Sequence, residues 1–125
     1  WEFAARGGLS SKGYKYSGSN TLDDVAWYRV DLDLQKHEIK SLSPNELKLY
    51  DMSGNVCEWC WDSYEKYENR VETNPHGGTA SGVRVMRGGA YNSYEDDCTV
   101  YDRSYDNSVT SYPFAGFRLV RNSED

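Results

Sequence analysis

Glycine-marked turns divide this chain so finely that only short strands fit between them. Ser53-Gly54-Asn55 leads into Val56–Trp61, and Arg87-Gly88-Gly89 breaks off Val83–Met86. Val56–Trp61 reads as a short, strongly apolar strand and Val83–Met86 as an alternating one, while Ala115–Val120 closes the chain as a further apolar strand. In Val56–Trp61 the alternation places Trp59 and Trp61 on one face. Trp1–Arg6 has helical spacing, with Trp1, Ala4 and Ala5 on one side, and Gly7-Gly8 stops it. The connections are long. Ser10–Asn20 reads as loop, Val25-Ala26-Trp27-Tyr28 as a buried run, and Asp31–Lys40 as charged and exposed. Ser63–Thr79 is a polar loop marked by Pro75 and Gly77-Gly78. No repeat period and no internal boundary is visible, and 125 residues fit one domain.

Such a chain needs a core from few apolar residues. They make up 38% of it, but 11 Tyr, 4 Trp and 3 Phe are among them. Aromatic side chains bury large areas, so a modest number suffices, and disorder is not expected. The net charge of −6 excludes nucleic acid as a partner, because phosphate binding needs a basic face. It also argues against an anionic membrane surface. No run approaches the length of a membrane span, so no membrane insertion by this segment is expected. The chain opens on Trp1-Glu2-Phe3 with neither an initiator Met nor a signal peptide's basic and apolar leader, so localisation is not legible from it.

The cysteines are Cys57, Cys60 and Cys98, an odd number that makes no disulfide framework. Cys57-x-x-Cys60 has metal-knuckle spacing, but a zinc site needs about four ligands. Only Cys98, His37 and His76 could complete it, and none lies in a paired motif. Buried free thiols are the expectation. Two His residues in loops make no triad, and the Asp96-Asp97 pair reads as a solvated acidic loop. Arg87 and Arg118 read as buried ion-pair members, since guanidinium tolerates such sites best.

Four motifs stand in order along the chain. They are Trp1-Glu2-Phe3-Ala4-Ala5-Arg6-Gly7-Gly8, Leu49-Tyr50-Asp51-Met52-Ser53-Gly54-Asn55-Val56 with Glu58-Trp59, Arg84-Val85-Met86-Arg87-Gly88-Gly89, and Gly116-Phe117-Arg118-Leu119. Together they resemble the formylglycine-generating enzyme (sulfatase-modifying factor) family. The resemblance implies an α+β, C-type-lectin-like fold with short strands and long irregular loops. In it, residues 1–125 form the C-terminal part of a single domain. No cofactor is required, but the resemblance implies calcium held by the Asn55 side chain, the Val56 carbonyl and Glu58, all oxygen donors that suit that ion. The other reading of these residues is that Asn55 supports its turn and Glu58 pairs with an arginine.

The family's oxidase binds copper with two cysteines shortly after the Gly-Gly motif, and two soft thiolates suit Cu(I). The matching positions here are Ser93 and Cys98. One thiol cannot make that site. Were the chain an enzyme, Cys98 would be its catalytic residue.

The segment Tyr91–Phe114 differs from the rest. Of its 24 positions, 17 are Tyr, Ser, Asp, Asn or Thr, and it lacks Leu, Ile, Lys, Gln, Met and Trp. Tyr offers contact area with few rotatable bonds, and Ser, Asn and Asp offer adaptable hydrogen bonds, as in antibody paratopes. The frame around it (Arg87-Gly88-Gly89, Cys98-x-Val100, Arg103 and Gly116-Phe117-Arg118-Leu119) resembles variable proteins of diversity-generating retroelements. In those, mutated Asn codons alternate with fixed anchors. Glu95 is unreachable from such a codon and is expected to be fixed. The resemblance implies a binder of a protein or glycan ligand, at the cell surface or outside the cell. The contact residues it implies are Asn92, Ser93, Tyr94, Asp96, Asp97, Tyr101, Asp102, Ser104, Tyr105, Asp106, Asn107 and Tyr112. These tyrosines should be accessible on one contiguous face, and Cys98 buried and unpaired. The alternative is a formylglycine-generating copper oxidase or an inactive paralogue of it.

Overall fold

The computed structural model describes residues 1–30, 34–67, 69, 71, 73 and 82–121. The readings of Asp31, Pro75, His76 and Gly77-Gly78 lie outside the described residues. Among the described residues the one α-helix, α1, spans Glu2–Ala5 and ends where Gly7 turns to a φ of 90°. Short 3-10 turns occupy Gly8–Ser10, Leu22–Asp24 and Glu95–Cys98. Among the described residues there are four strands, in chain order β1 (Cys57–Ser63), β2 (Val83–Arg87), β3 (Ser104–Asn107) and β4 (Ala115–Gly116). They form one mixed sheet in the order β3-β2-β1-β4, with β4 parallel to β1 and the other pairs antiparallel. This is an α+β fold in which irregular backbone carries much of the structure.

Two strand expectations need correction. The apolar run Ala115–Val120 pairs only over Ala115–Gly116, opposite Cys57 and Glu58. Beyond that point Arg118 turns to Glu58 and to the Tyr50 carbonyl, and Phe117, Leu119 and Val120 stand 73, 89 and 95% exposed. A strand needs a neighbour to satisfy its backbone, and among the described residues β4 is the sheet's edge. The simple alternation of Trp59 with Trp61 is interrupted by a bulge. Trp59 faces Met86 and Ser63 faces Arg84, so β1 carries two residues more than β2 between these pairs. The bulge bends β1, and its mouth is filled by Arg84, whose Nη1 donates to the Trp61 carbonyl at 2.6 Å and to Ser63 Oγ at 3.0 Å. Trp59 ends half-buried and Trp61 86% exposed. Both still border one open groove of about 630 Å³, with Trp1, Leu49 and Phe117.

Three small apolar clusters make up the core. Tyr16, Leu22, Val25, Ala26 and Cys98 form one; Ala5, Met52 and Val100 a second; Cys57, Met86 and Ala90 a third. Cys98 and Val100 therefore pin the 91–114 segment into two clusters at once. Tyr16, inside a stretch that reads as loop, is 1% exposed. The turn Ser53-Gly54-Asn55 joins the clusters: Gly54 N donates to the Gly88 carbonyl and Asn55 N to the Trp27 carbonyl, both at 2.7 Å.

Candidate ligand-binding surface

The segment 91–114 is fixed to this scaffold mainly from beneath. Ser53 Oγ donates to the Cys98 carbonyl at 2.8 Å, and Val100 N to the Lys15 carbonyl at 3.1 Å. Arg87, 8% exposed at its side chain, donates to the Asp102 carbonyl at 2.9 Å and pairs with Glu2 at 3.0 Å. Glu95 accepts a hydrogen bond of 2.5 Å from the hydroxyl of buried Tyr16. That bond, with the positive charge of Lys15, holds the Glu95 carboxyl below its ordinary value. Gly89 is needed because a Cβ there would meet Cys98 Sγ at 2.7 Å, at a φ of 66°.

The anchored segment divides the expected contact residues into three groups. Tyr94, Tyr101 and Tyr105 project outward, 64, 56 and 54% exposed. Asn92, Asp96, Asp97, Ser104 and Asn107 are exposed as well, although Asp97 also accepts from Tyr94 N at 2.9 Å and caps the turn Glu95–Cys98. Ser93, Asp102, Asp106 and Tyr112 are half-buried. Ser93 faces the scaffold: its Oγ accepts from Ala90 N at 3.0 Å and its carbonyl from Arg29 N at 2.9 Å. Asp102 sits high in pKa because burial and the Asp97 charge oppose its ionisation. Asp106 and Asn107 spend side-chain oxygens on the backbone of the turn that follows β3. Tyr112 leans on Phe114, with ring centroids 5.0 Å apart.

Sequence reasoning missed a neighbouring group. Tyr64 and Tyr67 lie in the stretch read as a polar loop, yet Tyr64 stacks on Tyr105 with centroids 3.9 Å apart. The Arg103 guanidinium lies 5.1 Å from the Tyr64 ring and 4.0 Å from the Tyr67 ring. The available signal was two tyrosines closely following a strand, which an aromatic count alone does not place.

The chemistry expected of an oxidase has poor footing. Cys98 is free, 0% exposed and packed among Tyr16, Leu22, Val25 and Ala26. Burial pushes its thiol up to about 12, and the charges of Asp97 and Asp102 add to this. Thiolate is the nucleophile and the metal ligand, and burial disfavours that form here. Burial likewise raises Cys57, to about 11. Native protein treated with iodoacetamide should therefore be alkylated first at half-buried Cys60, with Cys98 modified only after denaturation. Mass spectrometry of the digest reads this directly, and early labelling of Cys98 contradicts it.

At the positions expected to hold calcium, the Asn55 and Glu58 side chains have protein partners. Asn55, at a φ of 62°, accepts from His37 N through Oδ1 at 3.1 Å and donates to the His37 carbonyl through Nδ2 at 3.3 Å. Glu58 is 5% exposed and its carboxylate is engaged by Arg118 and by Trp1 Nε1 at 2.6 Å. The Asn55 amide oxygen and the carboxylate are thus committed to separate partners. Asn55 supports its turn and Glu58 pairs with an arginine. Among the described residues, no three His, Cys, Asp or Glu side chains are grouped to hold a metal ion. Among them, too, no helix is long and apolar enough to cross a membrane.

Comparison with known proteins gives this geometry a family. The model of the sulfatase-modifying factor enzyme 1-like domain matches residues 1–123. The chain belongs to that family. It is 32% identical over 140 residues to the chaperone protein LppX of Paenibacillus barcinonensis, with 98% of this chain and 46% of that one covered. It is 31% identical over 143 residues to the formylglycine-generating enzyme of Streptomyces coelicolor, covering 99% of this chain and 45% of the enzyme. Among solved structures, Treponema denticola variable protein 1 superposes with a TM-score of 0.83 at 35% identity, over 94% of this chain and 43% of that one. The chain spans about half the length of these relatives. The C-type-lectin-like fold expected from the motifs is therefore the observed one, and the family includes both an enzyme and a variable protein.

Proposed function

We propose that this chain is a recognition module that displays the side chains of 91–114 to a protein or glycan ligand, as variable proteins of diversity-generating retroelements do. One observation carries the reading. Glu95, Cys98 and Val100 are tied to the scaffold, while Tyr94, Tyr101 and Tyr105 between and beside them are more than half exposed. Rigid support with outward aromatic residues lets contact residues change without loss of the fold. The likeness to a variable protein at a TM-score of 0.83 supports the same reading. A formylglycine-generating oxidase, or an inactive paralogue, is the second reading; the buried thiol of Cys98 and the serine at position 93 weigh against the active form.

The test is tolerance. Simultaneous randomisation of Tyr94, Asp96, Tyr101 and Ser104 should leave stability within about 0.5 kcal/mol per substitution, the usual range for surface changes. Cys98→Asp or Val100→Asp should unfold the domain. Thermal melts of a small library decide this, and a collapse of most randomised variants rejects the display reading. Stoichiometric, tight Cu(I) binding that disappears in Cys98→Ala would establish the oxidase reading instead. A near-copy of the coding region for 91–114 beside a reverse transcriptase gene is the genomic counterpart of the expected result.

A further inference from the structure

The displayed segment does not stand alone on its side of the sheet. Tyr67, Arg103, Tyr64 and Tyr105 form a continuous ladder, with guanidinium-to-ring and ring-to-ring separations of 4.0, 5.1 and 3.9 Å in that order. Arg103 is fixed within it by donating from Nη2 to the Glu65 carbonyl at 2.9 Å. Tyr64 is fixed by its backbone, whose N–H donates to the Val83 carbonyl at 3.3 Å at the end of the bulged β1. The two end rings remain open, Tyr67 at 78% and Tyr105 at 54% exposure.

We propose that Tyr67, Arg103 and Tyr64 are a constant part of the ligand-binding surface, continuous with Tyr105, and that the partner is a protein segment carrying Lys or Arg among apolar residues. This rests on the display reading of 91–114. Stacked rings have already lost their rotamer freedom, so a partner that covers them spends little further entropy. Rigid Tyr and Arg are the side chains that dominate protein–protein contacts. The ladder explains why a partner could bind even as the displayed residues change: one wall of its site comes from the stretch after β1, outside 91–114.

Charge selects the partner's chemistry. Tyr91–Phe114 carries Glu95, Asp96, Asp97, Asp102 and Asp106 against the single cation Arg103. Arg103 is enclosed by the two rings, whereas Asp96 is 93% exposed at its side chain even with Lys15 Nζ 3.5 Å away. A basic partner would be attracted by these carboxylates, and an open tyrosine face of the ladder would add cation–π attraction. Within this chain the same combination occurs at Tyr94, with the Arg29 guanidinium 5.0 Å from its ring. The open faces of Tyr67 and Tyr105 would also take a sugar, but the excess of carboxylates favours a basic partner.

A phage-displayed library of random peptides, panned on the protein and followed by titration of the recovered peptides, tests this. The recovered peptides should be rich in Lys or Arg beside apolar residues. They should weaken about tenfold or more with Tyr67→Ala, Arg103→Ala and Tyr105→Ala alike, the loss usual for a central contact residue. Tyr67 is exposed enough that its loss leaves the melting temperature unchanged, which separates binding from folding. If affinity falls with Tyr101→Ala and Tyr105→Ala but not with Tyr67→Ala or Arg103→Ala, the ladder is overturned while the display reading stands. If none of the four matters, both fail. A glycan array whose bound sugars are lost with Tyr67→Ala overturns the protein partner.

Discussion

Replacing Gly54 with alanine should cost the fold about 3 kcal/mol or more, among the largest effects of a single methyl group in this chain. Two penalties add. The φ of 73° is one that L side chains avoid, at about 1–2 kcal/mol. The new Cβ would also lie 2.3 Å from the Trp27 carbonyl oxygen and 2.9 Å from its carbon. That carbonyl accepts the Asn55 N–H at 2.7 Å, so moving it away breaks the bond that holds the turn. The Asn55 amide would move too, and with it both hydrogen bonds to His37. Gly13→Ala is the matched control. Its φ is 72° but nothing lies within 4 Å of an added Cβ, so only the conformational penalty applies. Urea unfolding of the two variants isolates the crowding. Equal losses would show that the contact with Trp27 carries no weight.

Arg118→Ala should destabilise the protein by about 2–3 kcal/mol, toward the lower end of what loss of one partner of a buried pair costs. Glu58 sits in β1 with its side chain 7% exposed. Without Arg118 it keeps, among the described residues, only the Trp1 indole N–H as a side-chain partner, and a buried carboxylate left with one hydrogen bond is poorly compensated. Arg118 is 33% exposed at its side chain, which is why the lower end of the range applies. The same guanidinium donates to the Tyr50 carbonyl at 3.1 Å, so it also ties the end of the chain to the turn before β1. In a Glu58→Gln background the same substitution should cost much less, because no charge is left stranded. A double-mutant cycle by chemical denaturation gives the difference, and a loss under about 1 kcal/mol in the wild-type background would refute the pairing argument.

The parts of this architecture legible beforehand are those dictated by the backbone. Gly7, Gly54, Gly88 and Gly89 all take positive φ, and the helix, the first two strands and their turns fall close to where those glycines put them. Cys98 and Val100 were legible as anchors because apolar residues in a polar segment have few places to go except a core. The closing strand was not legible: Phe117 and Leu119 look like strand residues, but local preference cannot supply a neighbour to pair with. Tyr16 was missed for the converse reason. Its surroundings are polar, and its burial depends on Leu22, Val25, Ala26 and Cys98 meeting it from two other parts of the chain.

The displayed surface divides along the same line. Composition alone set 91–114 apart, because a segment rich in Tyr, Ser, Asp and Asn without a hydrophobic period cannot be buried as ordinary core. It could not say which of those side chains face outward. Ser93, Asp106 and Asn107 resemble Asn92 and Asp96 in sequence, yet they bond to nearby backbone because turns there leave N–H groups to satisfy. Nor could it join Tyr64 to Tyr105, since that contact runs between the end of β1 and β3, with β2 between those strands. The sequence by itself determined the family, the turns and the character of the 91–114 segment, since these depend on residue type and near neighbours. Only the tertiary structure decided which oxygens are free, which thiol is silent and which aromatic rings touch, because each of those depends on what distant chain is packed alongside.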